Sequence, residues 1–165
     1  MEAGISLRKF KASDINSEYL GWLNDRDYMK YSNQRHSVHT EVTSTLYLKS
    51  FENSSNLFFS IEDFNAEFLG TCTVYYDSHN HHANIGVLVS PEHSNRGIGK
   101  SVFRILLTQL PLHIKINKIV AGTCELNSKM ISVIENSGMR LEYRVPREFM
   151  LDGEYLDNLM FAKYY

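Results

Sequence analysis

The sequence predicts an α/β fold of the α+β type, in which helices pack against a mixed but mostly antiparallel central sheet. Three short β-rich runs between Leu57 and Ser90 are separated by polar turns, which is typical of an antiparallel meander. A later strand, helix, strand order requires a parallel crossover. The chain then closes with a period-two strand and a hairpin turn at Asp152-Gly153. The full order is β, α, α, three β, α, β, α, β, β, which gives about seven strands.

The N-terminal part of the chain predicts one strand and two helices. Residues 5–8 alternate apolar and polar side chains, as a strand does. Ser13-Asp14 supplies an N-cap for a helix with an apolar face, and this helix should end near Asn24-Asp25. A polar, aromatic-rich connection over residues 28–39 leads to a second helix that starts at about Thr40.

The remaining elements follow from apolar periodicity and from turn residues. The predicted strands cover residues 57–62, 67–76, 83–90, 118–123, 139–145 and 156–163. Pro91 cannot donate to a strand ladder and so ends the third of the meander strands. Gly97-Ile98-Gly99 opens a helix that should end just before Pro111, and Asn127 opens another that stops at Gly138.

Composition and charge limit the class of protein. The 165 residues are about the length of one domain, so we expect a single domain over residues 1–165. A net charge of −2 without long runs of like charge argues against nucleic acid as the main partner. The apolar stretches are shorter than the ~20 residues that cross a bilayer, so we expect a cytoplasmic protein without a membrane partner. Cys72 and Cys124 are expected to be reduced thiols in strands.

The strongest chemical signal is the stretch from Ile85 to Lys100, in which a strand runs through a glycine-containing loop directly into a helix. The first N–H groups of a helix lack intrahelical acceptors and lie at the positive end of its dipole, so the loop is a candidate phosphate cradle. Gly97 and Gly99 let an anion approach the backbone, and Arg96 and Lys100 add positive charge. The spacing is neither that of a P-loop nor that of the dinucleotide fingerprint.

The segment from Pro91 to Lys100 resembles the acetyl-CoA pyrophosphate loop of the GNAT superfamily of N-acetyltransferases, whose usual pattern is Gln/Arg-x-x-Gly-x-Gly/Ala. Asn127 and the helix that ends at Gly138 are similar to a second segment of that family, and the order of elements matches over nearly the whole chain. The resemblance implies a GNAT-like fold with helices on both faces of the sheet and a splayed parallel pair in its middle. It also implies an enzyme that moves an acetyl group from acetyl-CoA to an amine without a metal.

In that family the pantetheine arm enters the splayed gap and bonds to backbone as an added strand would. The resemblance assigns Leu88 and Val89 to the pantetheine, Ser94, Asn95, Arg96, Gly97, Ile98, Gly99 and Lys100 to the pyrophosphate, and Asn127 to the far end of the cofactor. Ser94 stands where Gln or Arg is usual, and Asn95 where a glycine often sits. Ile134 occupies the place where many members carry a tyrosine that protonates the departing thiolate. The candidates for another proton carrier are Tyr75, Tyr76, His82 and Tyr143.

The stretch from Trp22 to Asp25 and the residues after it resemble the acceptor-side helices of GNAT members that acetylate nucleotide-linked amino sugars, and of the ribosomal-protein N-terminal branch. The candidate substrate-binding residues are Asn24, Tyr31, Gln34 and Arg35. We expect a small-molecule amine acceptor, with a nucleotide-linked amino sugar favoured. Polyamine or protein N-terminal acetylation and a non-catalytic acyl-CoA-binding module remain as alternatives. Acidic residues around the acceptor cleft would favour cationic substrates.

Two further expectations concern metal binding and assembly. The histidines at 79, 81 and 82 lie in a predicted turn without Cys or acidic partners at ligand spacing, so no metal site is predicted. The family tendency to dimerise favours a homodimer through the late strand that contains residues 139–145. The sequence equally allows this edge to be covered within the monomer.

Overall fold

The computed structural model describes residues 4–165, which form one seven-stranded sheet with four helices and three short 3-10 turns. The strands are β1 (Ser6–Lys9), β2 (Leu57–Glu62), β3 (Phe68–Asp77), β4 (His82–Val89), β5 (Lys118–Cys124), β6 (Arg140–Leu151) and β7 (Glu154–Tyr164). The helices are α1 (Ser17–Asn24), α2 (Glu41–Lys49), α3 (Ile98–His113) and α4 (Ser128–Asn136). The 3-10 turns are Ala12–Asp14, Asn33–His36 and Pro91–His93.

The strands lie in the order β1-β2-β3-β4-β5-β7-β6 across the sheet. Neighbouring strands are antiparallel except for β4 and β5, which are parallel because α3 crosses over between them. This confirms the predicted mixed, mostly antiparallel sheet with a parallel pair in its middle.

Helices cover both faces of the sheet, so that two apolar clusters flank it. On the α3/α4 face, Val74 and Ile85 of the sheet pack with Phe103 of α3. On the α1/α2 face, Trp22 of α1 packs with an aromatic cluster that includes Phe58 of β2. Successive residues of a strand point to opposite faces, so each sheet strand contributes to both clusters.

The predicted N-cap of α1 at Ser13-Asp14 is wrong. The helix begins at Ser17, and the side chain of Asn16 accepts a hydrogen bond from the Tyr19 N–H at 2.9 Å. Asp14 lies in the preceding 3-10 turn, where its carboxylate accepts two hydrogen bonds of 3.0 Å from the Arg8 guanidinium. A paired, charge-assisted contact of this kind outweighs a single cap.

Helix α3 also differs from the prediction, because Pro111 lies within its last turn and does not follow it. Proline has no N–H and therefore leaves the carbonyl four residues earlier without its helical donor. That carbonyl, of Leu107, accepts a 2.7 Å hydrogen bond from the hydroxyl of Tyr165 at the end of the chain. This bond lets the helix continue past the proline.

Strand β6 is longer than the predicted residues 139–145, because a bulge interrupts its pairing with β7 without ending it. Cys72 and Cys124 are free and buried in strands, as predicted. Burial raises the pKa of the Cys72 thiol to about 12, so this thiol stays protonated. Among residues 4–165 no helix is long and apolar enough to span a bilayer.

Close packing of β3 against β4 gives a stability prediction. A Cβ atom on Gly70 would lie 2.2 Å from the carbonyl oxygen of Leu88, so Gly70→Ala should lower the free energy of unfolding by about 3 kcal/mol. A Cβ atom on Gly21 of α1 would meet nothing within 4 Å, so Gly21→Ala should be neutral or stabilising by up to ~1 kcal/mol. Urea unfolding measures both, and equal effects would contradict the close approach at Gly70.

Candidate active site

A cleft of about 1450 Å³ lies at the point where β4 and β5 separate, and residues from both faces of the sheet line it. The two strands pair only from His82 to Asn84 of β4 within the described chain. Continuing this register places Gly86 of β4 opposite Gly122 of β5, and both glycines line the cleft. We call this point the fork. Neither glycine adds a side chain at this point, and Met160 of β7 fills the space beside Gly122, because its Sδ would lie 2.6 Å from a Cβ atom there.

The orientation of backbone groups on β4 follows from hydrogen bonds at its two ends. The carbonyl of His81 accepts a 2.7 Å bond from Asn117 N on the β5 side. The N–H of Ser90 donates a 2.8 Å bond to the Leu69 carbonyl on the β3 side. Backbone groups alternate sides along a strand, so those of the odd-numbered residues of β4 face β5.

From the end of the paired segment onward, the backbone groups of Ile85, Val87 and Val89 therefore face the gap between β4 and β5. The resemblance assigns Val89 to the pantetheine, and the backbone of Val89 faces this gap. Leu88, assigned with it, pairs through its backbone with Thr71 of β3, and only its side chain lines the cleft. An extended ligand in the gap can bond to the odd-numbered residues as an added strand would.

Tyr28 reaches this open edge from the connection between α1 and α2. Its hydroxyl donates a short hydrogen bond to the Val89 carbonyl. Desolvation raises the pKa of Tyr28, so the hydroxyl remains a protonated donor at neutral pH. The bond ties the acceptor-side connection to the end of β4. No pattern in the sequence pointed to this residue.

The loop after β4 brings several predicted cofactor residues to one end of the cleft. Ser94, Asn95, Gly97, Ile98 and Gly99 line its wall, whereas the side chains of Arg96 and Lys100 do not. Gly97 is the N-cap of α3 with φ +78°, a conformation that favours glycine, and a Cβ there would meet nothing within 4 Å. The free N–H groups of the first turn of α3 therefore lie beside open space, which fits a diphosphate.

Helix α4 supplies the opposite wall of this end. Asn127 caps α4 by accepting from Met130 N at 3.3 Å, and its amide donates to the Thr123 hydroxyl of β5 at 3.0 Å. Ile134 is fully buried and lines the cleft. The side chain at position 134 is therefore apolar and cannot donate a proton.

A hydrogen-bonded chain of three side chains supports the loop between β4 and α3. The Ser90 hydroxyl lies 2.7 Å from His93 Nδ1, and His93 Nε2 lies 3.1 Å from the Glu67 carboxylate. A carboxylate only accepts, so Nε2 must carry a proton and donates to Glu67, while Nδ1 and the Ser90 hydroxyl share the other hydrogen bond. Ser90 and His93 are both buried, and Glu67 directly precedes β3. These hydrogen bonds therefore attach the loop to the start of β3.

Of the four candidate proton carriers, the structure brings only Tyr75 to the cleft. The other three candidates do not line the cleft. The Tyr76 hydroxyl donates to the Lys115 carbonyl at 2.7 Å, His82 is the first residue of β4, and Tyr143 is half-exposed on β6. The Tyr75 hydroxyl lies 2.6 Å from that of Tyr47 on α2, which also lines the cleft. Desolvation, and then the bond to Tyr75, raise the pKa of Tyr47, so this hydroxyl is neutral at physiological pH.

The predicted acceptor residues divide into two pairs. Tyr31 and Gln34 line the cleft. Asn24 and Arg35 do not: the Asn24 amide bonds to the backbone of His39 in both directions at 2.8 Å. The Arg35 guanidinium lies 4.2 Å from the centre of the Phe149 ring and donates to the Met150 carbonyl at 2.6 Å. Asn24 and Arg35 therefore hold the connection between α1 and α2 in place.

The end of the cleft that Tyr31 and Gln34 line, which we call the acceptor end, also contains acidic side chains that the sequence did not single out. Asp27 and Glu148 line the cleft, and Glu148 accepts a 2.7 Å hydrogen bond from the Asn158 amide of β7. Lys30 lines the same region, with its ammonium 5.0 Å from the centre of the Tyr31 ring. Glu148 follows Pro146-Arg147 in a stretch with the pattern of a surface strand, so periodicity alone gave no sign that it would face the cleft.

A family model described as the acetyltransferase (GNAT) domain matches residues 5–140. The chain belongs to the GNAT family. It is therefore an N-acetyltransferase, and acetyl-CoA is its co-substrate. The matched residues contain the fork, the loop before α3 and Asn127, whereas Glu148 and Asn158 lie beyond them.

Solved GNAT structures share this fold. Spermidine N-acetyltransferase from Vibrio cholerae, in complex with CoA and spermine, has a TM-score of 0.86 at 20% identity over 98% of this chain and 95% of its own. RimL, the ribosomal L7/L12 alpha-N-protein acetyltransferase, in complex with CoA, has a TM-score of 0.87 at 18% identity over 99% and 95%. A GNAT acetyltransferase from Bacillus anthracis gives 0.83 at 22% identity over 99% and 96%. Comparison with curated protein sequences finds no significant match.

The chain of Ser90, His93 and Glu67 gives a prediction about CoA affinity. His93→Gln removes the fixed ring and should raise the Kd for CoA about tenfold, because the loop before α3 loses its attachment to β3. His79→Gln changes a side chain that is 95% exposed in a turn outside the cleft and serves as the control. Isothermal titration with CoA measures both, and an unchanged Kd for His93→Gln would show that the loop holds its shape without this chain.

Proposed function

We propose that this GNAT enzyme transfers the acetyl group of acetyl-CoA directly to the primary amine of a small cationic molecule. The fork carries this proposal. At the fork, one cleft connects the backbone cradle at the start of α3 with the separate acceptor end. Donor and acceptor can therefore meet at Gly86 and Gly122 in one complex, and no covalent enzyme intermediate is needed.

The donor would be held mainly by backbone. The diphosphate fits the first N–H groups of α3 and the loop from Ser94 to Gly99, and the pantetheine arm fits the gap-facing groups of Val87 and Val89. Asn127 stays our proposal for the far end of the cofactor. Arg96 and Lys100, outside the cleft wall, would act only through their charge.

The reaction forms a C–N bond between the acceptor amine and the acetyl carbonyl carbon and breaks the C–S bond to CoA. A thiol with an ordinary pKa of about 8.5 is already a good leaving group, so holding the reactants in line can supply much of the acceleration. The attacking nitrogen loses one proton as the amide forms, and this proton restores Tyr75, which we propose as the donor of a proton to the departing thiolate. It is the one candidate in the cleft among the four considered, and its hydroxyl is paired with that of Tyr47.

The acceptor end favours a cation. The acidic residues Asp27 and Glu148 line it, while Arg35, the residue that would suit a nucleotide-linked acceptor, is bound to Phe149 and Met150. The similarity in fold to a spermidine acetyltransferase agrees with a cationic acceptor. A nucleotide-linked amino sugar is the second candidate, because Lys30 and Tyr31 offer a cation and a ring to a nucleotide.

Two predictions from the sequence stay predictions. The cytoplasmic location is one of them. The other is a homodimer through the late strands, for which β6 offers an edge with half-exposed Leu141 and Tyr143.

The proposed function predicts thiol release that depends on an amine. The purified protein is incubated with acetyl-CoA and with diamines and polyamines, N-terminal peptides, aminoglycosides or nucleotide-linked amino sugars, and free CoA is measured. Cationic small amines should give the fastest release. Fastest release with the amino sugars would favour the second candidate, and CoA binding without release for any amine would favour a non-catalytic binding module.

Gly97→Glu tests whether CoA binds at the start of α3. Its carboxylate would lie at the start of α3 beside the N–H groups that should hold the diphosphate, so CoA binding should fall by about a hundredfold or more. Gly97→Ala separates backbone strain at φ +78° from charge and should retain most of the binding. Equal loss in both variants would mean that backbone conformation, and not repulsion of the diphosphate, causes the effect.

A further inference from the structure

A bulge in β6 places Glu148 in the cleft. Val145 pairs with Asn158 of β7 and Phe149 with Leu156, so residues 146–148 stand opposite Asp157 alone. Arg147, at the centre of the bulge, has φ +56°, and its N–H donates to the Asp157 carboxylate at 3.2 Å. Bulges redirect side chains out of the regular alternation of a strand. Here the redirected side chain is the carboxylate of Glu148, which lines the cleft.

Asn158 connects this carboxylate to the fork. Its amide donates to Glu148 Oε2 at 2.7 Å. The same amide nitrogen would lie 3.4 Å from a Cβ atom on Gly122. Glu148 is thus separated from the fork by the width of one side chain. A group at the fork does not touch the carboxylate, but a short alkyl spacer can join the two positions.

Among the described residues the negative charge of Glu148 has no counter-ion. Within residues 4–165, no Lys or Arg side chain lies within ion-pair distance of its carboxylate. Arg144 pairs with Glu125 and Asp157, and the Arg147 guanidinium lies 4.7 Å from the centre of the Tyr155 ring. The Asn158 amide orients the carboxylate without neutralising it. An ammonium group in the cleft would supply the missing charge.

We propose that Glu148, oriented by Asn158, binds a second, non-reacting ammonium group of the acceptor while the reacting amine lies at the fork. This inference rests on the proposed function and deepens it, because it restricts the acceptor to diamines, polyamines or amines with another cation a short spacer away. Asn158 acts as a positioning residue, and Glu148 as a determinant of specificity. Neither residue takes part in bond making.

The test compares 1,4-diaminobutane with butylamine, which has the same chain length but one cation fewer. The wild-type enzyme should have a kcat/KM at least tenfold higher for the diamine, mainly through a lower KM. Glu148→Gln keeps the size of the side chain and removes its charge. It should lower kcat/KM for the diamine about tenfold more than for the monoamine, and so abolish the preference.

Glu154→Gln is the matched control, since Glu154 is an exposed residue of the β6–β7 hairpin outside the cleft, and it should leave the preference intact. Asn158→Ala should weaken the preference only in part. Equal kcat/KM losses for both amines in Glu148→Gln, or no loss, would overturn the assignment.

A binding measurement separates failure of this inference from failure of the proposed function. Titration of 1,4-diaminobutane into the complex of protein and CoA reports binding without turnover. Weaker diamine binding in Glu148→Gln than in the wild type supports the ammonium site even if no amine is acetylated. Equal binding in both proteins, or no binding in the wild type, rejects the site even if the enzyme acetylates another acceptor.

Discussion

The separation of β4 from β5 is the constraint on which the rest of the structure depends. The two strands pair as far as Asn84 and then diverge, which leaves backbone groups in the middle of a sheet without a strand partner. Unpaired central backbone is unfavourable unless water, side chains or a ligand satisfy it. Tyr28 satisfies the Val89 carbonyl from one side. The remaining groups of that edge are available to an extended ligand, which is why the proposed binding site lies where the central strands separate.

The walls of the cleft are held by contacts that join elements distant in sequence. The chain of Ser90, His93 and Glu67 ties the loop before α3 to β3. Arg35 ties the connection between α1 and α2 to the end of β6, through the Phe149 ring and the Met150 carbonyl. Both contacts are made by side chains in loops or short turns, which regular backbone bonding does not position. The donor and acceptor ends are thus fixed by separate sets of residues.

Sequence reasoning predicted the order of elements because local signals agreed with the final packing. The three short β-rich runs became β2, β3 and β4, and the glycines at 97 and 99 lie where the loop enters α3. It did not predict which side of β4 faces the gap, since that depends on hydrogen bonds with two other strands. Arg35 was predicted to bind substrate from the resemblance to the acceptor-side helices of GNAT members. Its structural use becomes visible only when β6 is brought beside it.

The two ends of the cleft differ in the kind of group that recognises a ligand. At the proposed donor end the candidate contacts are backbone groups of the loop before α3 and of its first turn, and these do not depend on the side chain at Ser94. At the proposed acceptor end the candidate contacts are side chains, and Glu148 reaches the cleft at a bulge opposite Asp157. That bulge lies beyond the residues that match the family model. An insertion or deletion of one residue in the bulge would change the direction of Glu148 without changing the residues of the fork, so the proposed acceptor contact and the proposed acetyl-CoA site can vary separately in this fold.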